Sequence, residues 1–174
     1  MLADRIKSAI REVPDFPKPG ISFKDITPLL EDADLCEAMV EELAEQFKGQ
    51  LDAIVGVESR GFLLGMLLAN KMRLPFVPVR KKGKLPWKTI SHSYALEYGT
   101  AEVEMHVDSI RPEWRVLVHD DLLATGGTAV AASELVQRQG GIVSGYAFVV
   151  NLSFLEGEEK LKPFSTNIVN LLTY

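Results

Sequence analysis

The segment Arg115-Val-Leu-Val-His-Asp-Asp-Leu-Leu-Ala-Thr-Gly-Gly-Thr-Ala129 limits what this chain can fold into more than any other part of it. An apolar, strand-like run leads into two adjacent carboxylates, Asp120 and Asp121, then a Gly-Gly turn, then a helical pattern. Gly126 and Gly127 let the backbone take conformations closed to other residues and approach a ligand closely. The helix that follows offers unpaired N–H groups and the positive end of its dipole, which suits a phosphate. Thr125 and Thr128 add hydroxyl donors. The carboxylates themselves repel phosphate. They suit neutral hydroxyls beside it, a growing positive charge, or a magnesium ion held through water. A phosphate cradle with two acceptors next to it points to a sugar phosphate.

Around this segment, short apolar runs at Ala53–Val57, Pro75–Val79, Arg115–His119 and Ile142–Leu152 alternate with helical patterns at about Phe62–Met72 and Ala129–Gln139. The alternation predicts an α/β fold with a mainly parallel sheet flanked by helices. Upstream, Ile6, Ile10 and Val13 follow i, i+4, i+7 spacing and predict a short first helix, stopped by Pro14, Pro17 and Pro19. The prolines and Gly20 predict a stiff, extended segment. A second helix capped by Asp34 would bury Leu35, Met39, Leu43 and Phe47 on one stripe. From Arg80 to Tyr98 no helical stripe appears; a loop of roughly that length inside a compact domain is usually functional, often a lid. Ala101, Val103, Met105 and Val107 then alternate with Glu102, Glu104, His106 and Asp108, the pattern of a half-buried strand.

At 174 residues the chain fits one domain with a core of its own. A net charge of −5 argues against a protein that mainly grips nucleic acid. That acidic chain nevertheless places five cations, Arg80, Lys81, Lys82, Lys84 and Lys88, in one short stretch, leaving −10 on the rest. A basic loop on an acidic chain wants a polyanion. Cys36 is the single cysteine, so no intrachain disulfide forms, and its helical setting reads as packing in a reducing compartment. The longest apolar stretch, Gly61–Ala69, falls far short of the ~20 residues that span a bilayer, and charges interrupt the apolar residues at the N-terminus. A cytoplasmic chain with no membrane partner is the expectation. Gly56–Gly61 has the glycine spacing of an ATPase loop, but Phe62-Leu63 stand where Lys-Ser/Thr is required. Glu104, His106 and Asp108 read as a solvated strand face rather than a metal site.

Val118-His-Asp-Asp-Leu-Leu-Ala-Thr-Gly-Gly-Thr128 resembles the phosphoribosyl-pyrophosphate signature of type I phosphoribosyltransferases, in the form carried by those that use adenine. The likeness extends to Pro14–Gly20, Phe23–Pro28, Ser59–Phe62, Arg80–Pro86 and Leu96–Gly99, in the family's order and over nearly the whole chain. It implies one domain: a hood over about residues 1–33, a core over 34–174, and a flexible lid over about 80–99. The implied reaction is purine salvage, in which adenine and phosphoribosyl pyrophosphate give AMP and pyrophosphate with Mg2+, in a homodimer. Carried over by residue, Ala124, Thr125, Gly126, Gly127 and Thr128 would hold the 5′-phosphate, and Asp120 and Asp121 the ribose hydroxyls. Ser59, Arg60, Arg80, Lys81 and Lys84 would hold pyrophosphate, and no residue is expected as a direct metal ligand. Glu97 would shuttle a proton at the base, with Tyr98 beside it in the lid. Ser22, Phe23, Lys24 and Leu152 would bound the base. The family carries arginine where this chain has Lys24 and commonly an aliphatic residue at Ser22. His119, where an aliphatic residue is usual, and Trp87 in the lid are further departures.

Overall fold

The computed structural model describes residues 1–96 and 99–174. Its centre is a seven-stranded sheet in the order β5-β6-β4-β3-β7-β8-β9. The strands are β3 (Ala53–Val57), β4 (Phe76–Lys81), β5 (Thr89–Ala95), β6 (Thr100–His106), β7 (Arg115–Leu123), β8 (Ile142–Asn151) and β9 (Ile168–Thr173). Pairings among β4, β3, β7, β8 and β9 are parallel, and β6 pairs antiparallel with both β4 and β5. The expected α/β fold with a mainly parallel sheet is what the chain adopts.

Side-chain alternation divides the core between the two faces. Val55, Val57, Val116 and Val118 point to one face, where α5 (Gly127–Arg138) covers them with Ala132, Leu135 and Val136. Ile54, Leu117, Ala147 and Val149 point to the other. There α1 (Leu2–Ala9), α3 (Ala33–Gln46) and α4 (Gly61–Met72) pack with Ile6, Met39, Leu43, Leu64 and Leu68. Because the helix after β3 lies on one face and the helix after β7 on the opposite one, a crevice opens between the carboxyl ends of these neighbouring strands. In open α/β sheets that is where ligands bind.

Several local expectations are corrected. The first helix ends at Ala9, and Val13 lies on β1 (Arg11–Val13), paired antiparallel with β2 (Phe23–Asp25). Pro14 disfavours helix at the residue before it, and pairing with β2 takes up the freed backbone. The proline segment folds back instead of extending: Asp15 Oδ1 accepts from Gly20 N at 2.7 Å, and Phe16 N donates to Ile21 O. The cap of α3 is Asp32, whose carboxylate accepts from Leu35 N at 2.9 Å, so Asp34 sits in the first turn. The helix after the Gly-Gly turn starts at Gly127, which places Thr128 in its first turn.

The largest correction falls in the lid. Its first two residues continue β4, and Thr89–Ala95 form β5, the sheet's edge strand. Between these two strands only a turn over Lys82–Lys88 remains. Glu104 is buried, not solvated, and its carboxylate accepts from Lys84 N at 3.0 Å, Leu85 N at 2.8 Å and Thr89 Oγ1 at 3.3 Å. A period-2 pattern cannot announce a carboxylate turned inward to cap a turn. Among the described residues, no helix is long and apolar enough to cross a membrane.

Candidate active site

Two cavities open at the carboxyl ends of β3 and β7 and share Asp120. The smaller, of about 90 Å³, is bounded by the 124–128 turn, Asp120 and Phe148. Gly126 has φ +81, the left-handed region that favours glycine, and there it serves as the N-terminal cap of α5. A Cβ on Gly126 would lie 2.8 Å from the Gly157 carbonyl oxygen, and a Cβ on Gly157 would lie 2.3 Å from Ala124 O. Gly157 opens the short helix α6 (Gly157–Leu161). Packing against α6 therefore shapes the turn from behind, and the turn borders an anion-sized space in front.

The larger cavity, of about 380 Å³, is lined by Glu58, Ser59, Arg60, Lys81, Asp120 and Asp121. The peptide between Glu58 and Ser59 is cis. Arg60 Nε lies 2.8 Å from Asp121 Oδ2, and the same guanidinium stands 5.6 Å from the centre of the Phe23 ring. One cation thus links the Asp121 carboxylate to the ring of Phe23. Asp121 is buried and Asp120 half-buried. Burial pushes Asp120 well above the usual carboxylate range, and the neighbouring Asp121 carboxylate pushes it the same way, against a weaker pull from Arg60.

Arg80 and Lys84 stand apart from this lining. Arg80 grips Glu58 through Nε at 3.3 Å and Nη2 at 3.1 Å and donates to Lys84 O, which holds the Glu58 carboxyl below its usual range. Lys84 is exposed, with its backbone N–H on Glu104. Ser59, Arg60, Lys81, Asp120 and Asp121, which the family resemblance implied as neighbours, line this one cavity. Glu97 and Tyr98 lie outside the described residues.

In the hood, Ser22 is exposed and Phe23 half-buried, with Phe16 edge-on at 5.2 Å. The Lys24 side chain is only 12% exposed. Its ammonium pairs with Glu12 and stands 4.6 Å over the ring of Tyr174. Tyr174 in turn donates its N–H to Asn151 O and accepts from Ser153, so it lies between the neighbours of the half-buried Leu152. Tyr174 tethers hood to core, and nothing in the spacing of residues 150 apart could have revealed it. Tyr94 was missed likewise: its hydroxyl lies 3.0 Å from Thr128 Oγ1. His119 is wholly buried beneath the site, with Nδ1 at 2.9 Å from Ala147 O and Nε2 unpartnered. Burial lowers its pKa to about 4, so it is a neutral core residue accommodated beside Gly65. Trp87 is exposed, its ring 6.3 Å from that of His106.

This arrangement has known counterparts. Residues 23–164 match the phosphoribosyl transferase domain. The adenine phosphoribosyltransferase of Cytophaga hutchinsonii is 49% identical over 175 residues, covering 100% of this chain and 97% of that protein. The chain belongs to the adenine phosphoribosyltransferase family. Among solved structures, the adenine phosphoribosyltransferase of Thermoanaerobacter pseudethanolicus superposes with a TM-score of 0.94 at 48% identity, covering 100% of both chains. The Saccharomyces cerevisiae adenine phosphoribosyltransferase, solved in complex with an imino-altritol bisphosphate and adenine, gives 0.91 at 39% identity over 98% of each chain. In this family context the two cavities on either side of Asp120 and Asp121 become the candidate phosphate and pyrophosphate sites.

Proposed function

We propose that this chain transfers the phosphoribosyl group of phosphoribosyl pyrophosphate to adenine, releasing AMP and pyrophosphate in purine salvage. The observation that carries the reading is the pair of cavities that meet at Asp120, with Asp121 lining the larger one. A donor with phosphate at one end and pyrophosphate at the other would be held at both, its ribose over the carboxylates. Ala124–Thr128 take the 5′-phosphate through backbone N–H groups, and Ser59, Arg60 and Lys81 take pyrophosphate. Arg80 acts from behind by fixing Glu58 and the start of the basic turn.

As the bond from ribose to pyrophosphate lengthens, negative charge gathers on pyrophosphate, where Arg60 and Lys81 stabilise it. Positive character grows on the ribose and faces the two aspartates. Adenine adds from the hood side. The Lys24 ammonium is committed to Glu12 and Tyr174, so base recognition falls to Phe23, Leu152 and the backbone of β2, one of whose edges β1 leaves unpaired. Reading through backbone would tolerate lysine in place of arginine. Glu97, with Tyr98 beside it, carries the proton exchanged with the ring nitrogen.

Magnesium fits this site. Its potential donors are oxygens, and Asp120, pushed above its usual range by burial and by the neighbouring Asp121 carboxylate, is a carboxyl that a divalent ion would stabilise as the anion. Among the described residues no cluster of three or more His, Cys, Asp or Glu could cage a metal. Asp120 and Asp121 would hold magnesium through water, and the ion would supply charge neutralisation at the diphosphate. We further propose a homodimer. The outer side of α4 exposes Leu63, Met66 and Leu67, an apolar face suited to a second copy. A cytoplasmic setting suits the unpaired Cys36.

The test is product formation from phosphoribosyl pyrophosphate and magnesium with adenine, hypoxanthine, guanine and uracil offered separately. AMP formation with adenine alone is expected. Turnover with another base would move the specificity, and donor binding without turnover on any base would turn the reading toward a phosphoribosyl-pyrophosphate sensor.

A further inference from the structure

We infer that Tyr94 is a positioning residue for the 5′-phosphate, acting through Thr128. Tyr94 lies on β5, far in sequence from the 124–128 turn, yet its hydroxyl is 3.0 Å from Thr128 Oγ1. Its ring packs against the same turn, since a Cβ on Gly127 would meet Tyr94 Cδ2 at 3.2 Å. At the opposite end of α5, Arg138 reaches back to β5, donating to Ser91 O at 2.8 Å and lying 2.7 Å from His92 Nδ1. The helix whose N-terminus forms the anion turn is thus gripped by β5 at both ends.

The chemistry of the hydroxyl pair gives this contact a direction. Thr128 has one proton to donate, and a bound phosphate oxygen can only accept it. With phosphate in place, Thr128 Oγ1 is free to accept from the tyrosine. A phenol is the stronger acid of the two hydroxyls and is the natural donor. The relay Tyr94 O–H to Thr128 Oγ1, then Thr128 O–H to phosphate, polarises each bond in the same sense. Without the phenol, the Thr128 hydroxyl keeps its proton but loses the partner that fixes its rotamer toward the ligand. Tyr94 therefore serves recognition of a phosphomonoester and not of the base or the sugar. The inference rests on the reading of 124–128 as the phosphate site.

The test compares AMP with adenosine as ligands of the full chain by calorimetry, in the wild type, Tyr94→Phe, Thr128→Val and the double variant. Phenylalanine keeps the ring against Gly127 and removes only the hydroxyl. The expected result is that Tyr94→Phe weakens AMP about three- to tenfold, the worth of one hydrogen bond, while adenosine binding stays unchanged. The double variant should lose little beyond Thr128→Val alone, because the two hydroxyls act as one unit. Equal weakening of AMP and adenosine, no weakening of either, or full additivity with Thr128→Val overturns the role of Tyr94. A wild-type protein that binds AMP no better than adenosine would instead overturn the phosphate reading of the turn itself.

Discussion

The 124–128 turn presents backbone N–H groups held in place by packing against α6, whereas the Ser59–Arg60–Lys81 side presents charged side chains, one of them already committed to Asp121. The first material is preorganised and loses nothing when an anion arrives. The second is less fixed: Arg60 meets Asp121 through its Nε, and on the proposed reading its Nη donors turn to pyrophosphate while Asp121 accepts from the ribose. On the proposed reading that pairing links the two sides, because a donor reaches Arg60 and Asp121 at once and pyrophosphate reaches Arg60 alone. Arg60 also faces the Phe23 ring, so its movement is felt at the hood. A rigid anchor at one end of the donor and an exchangeable one at the other suit a reaction that keeps one end and releases the other.

The sharpest way to break the comparison is Gly126→Ala. At φ +81 an alanine costs about 1–2 kcal/mol, and its Cβ would press on Gly157 O at 2.8 Å. We expect kcat/KM for the donor to fall at least about 100-fold, with pyrophosphate affinity retained. A normal kcat/KM would show that the turn is not a rigid anchor. Asp121→Asn comes next. Turnover should drop about 10- to 100-fold with the fold intact by circular dichroism; unchanged turnover would remove the carboxylates from the mechanism.

Arg60→Lys sharpens the other side. Lysine keeps the charge and loses the planar fork that bridges Asp121 and Phe23. Inhibition by pyrophosphate should weaken about tenfold while AMP binding changes less than twofold. Equal losses for both ligands would mean that the two sides are not separate materials. The smallest catalytic effect belongs to His119→Leu, beneath both sites. Burial lowers His119 to about 4, so between pH 6.5 and 4 the unfolded chain takes up a proton that the folded chain refuses. Stability from this residue is complete above that window and is lost as pH falls through it, about 3 kcal/mol in all. The variant should flatten that part of the curve in urea denaturation at a series of pH values, with kcat within twofold of wild type. An unaltered acid limb would place the proton uptake elsewhere.

What could be read before folding was whatever local chemistry dictates. The 115–129 segment carries its own strand, glycine turn and helix start, so the Gly-Gly turn and the two aspartates were legible from residue order alone. The central parallel strands were equally plain, because strands buried on both faces are uninterrupted apolar runs. Short and edge elements were not: β1 and β2 span three residues each, too few to show a period, and β5 lies at the sheet's edge, paired only with β6 and half-buried along most of its length, so its residues do not alternate and it looked like loop. The same limit hid residues whose meaning is a meeting. Glu104 on an alternating strand looked solvated until the Lys84–Leu85 turn folded over it. Lys24 looked like a departure at the base site until Glu12 and Tyr174 took its ammonium, and His119 looked anomalous until Gly65 made room for it.

The sequence by itself determined the α/β class, the Gly-Gly turn ahead of α5 and the paired carboxylates, because each follows from patterns local to the chain. Only the tertiary structure decided that Arg60 rests on Asp121, that Arg80 belongs to Glu58, and that Tyr94 stands over Thr128. Those pairings join residues on different strands and helices, and pair formation across such distances is set by how the sheet orders its strands, which no local pattern records.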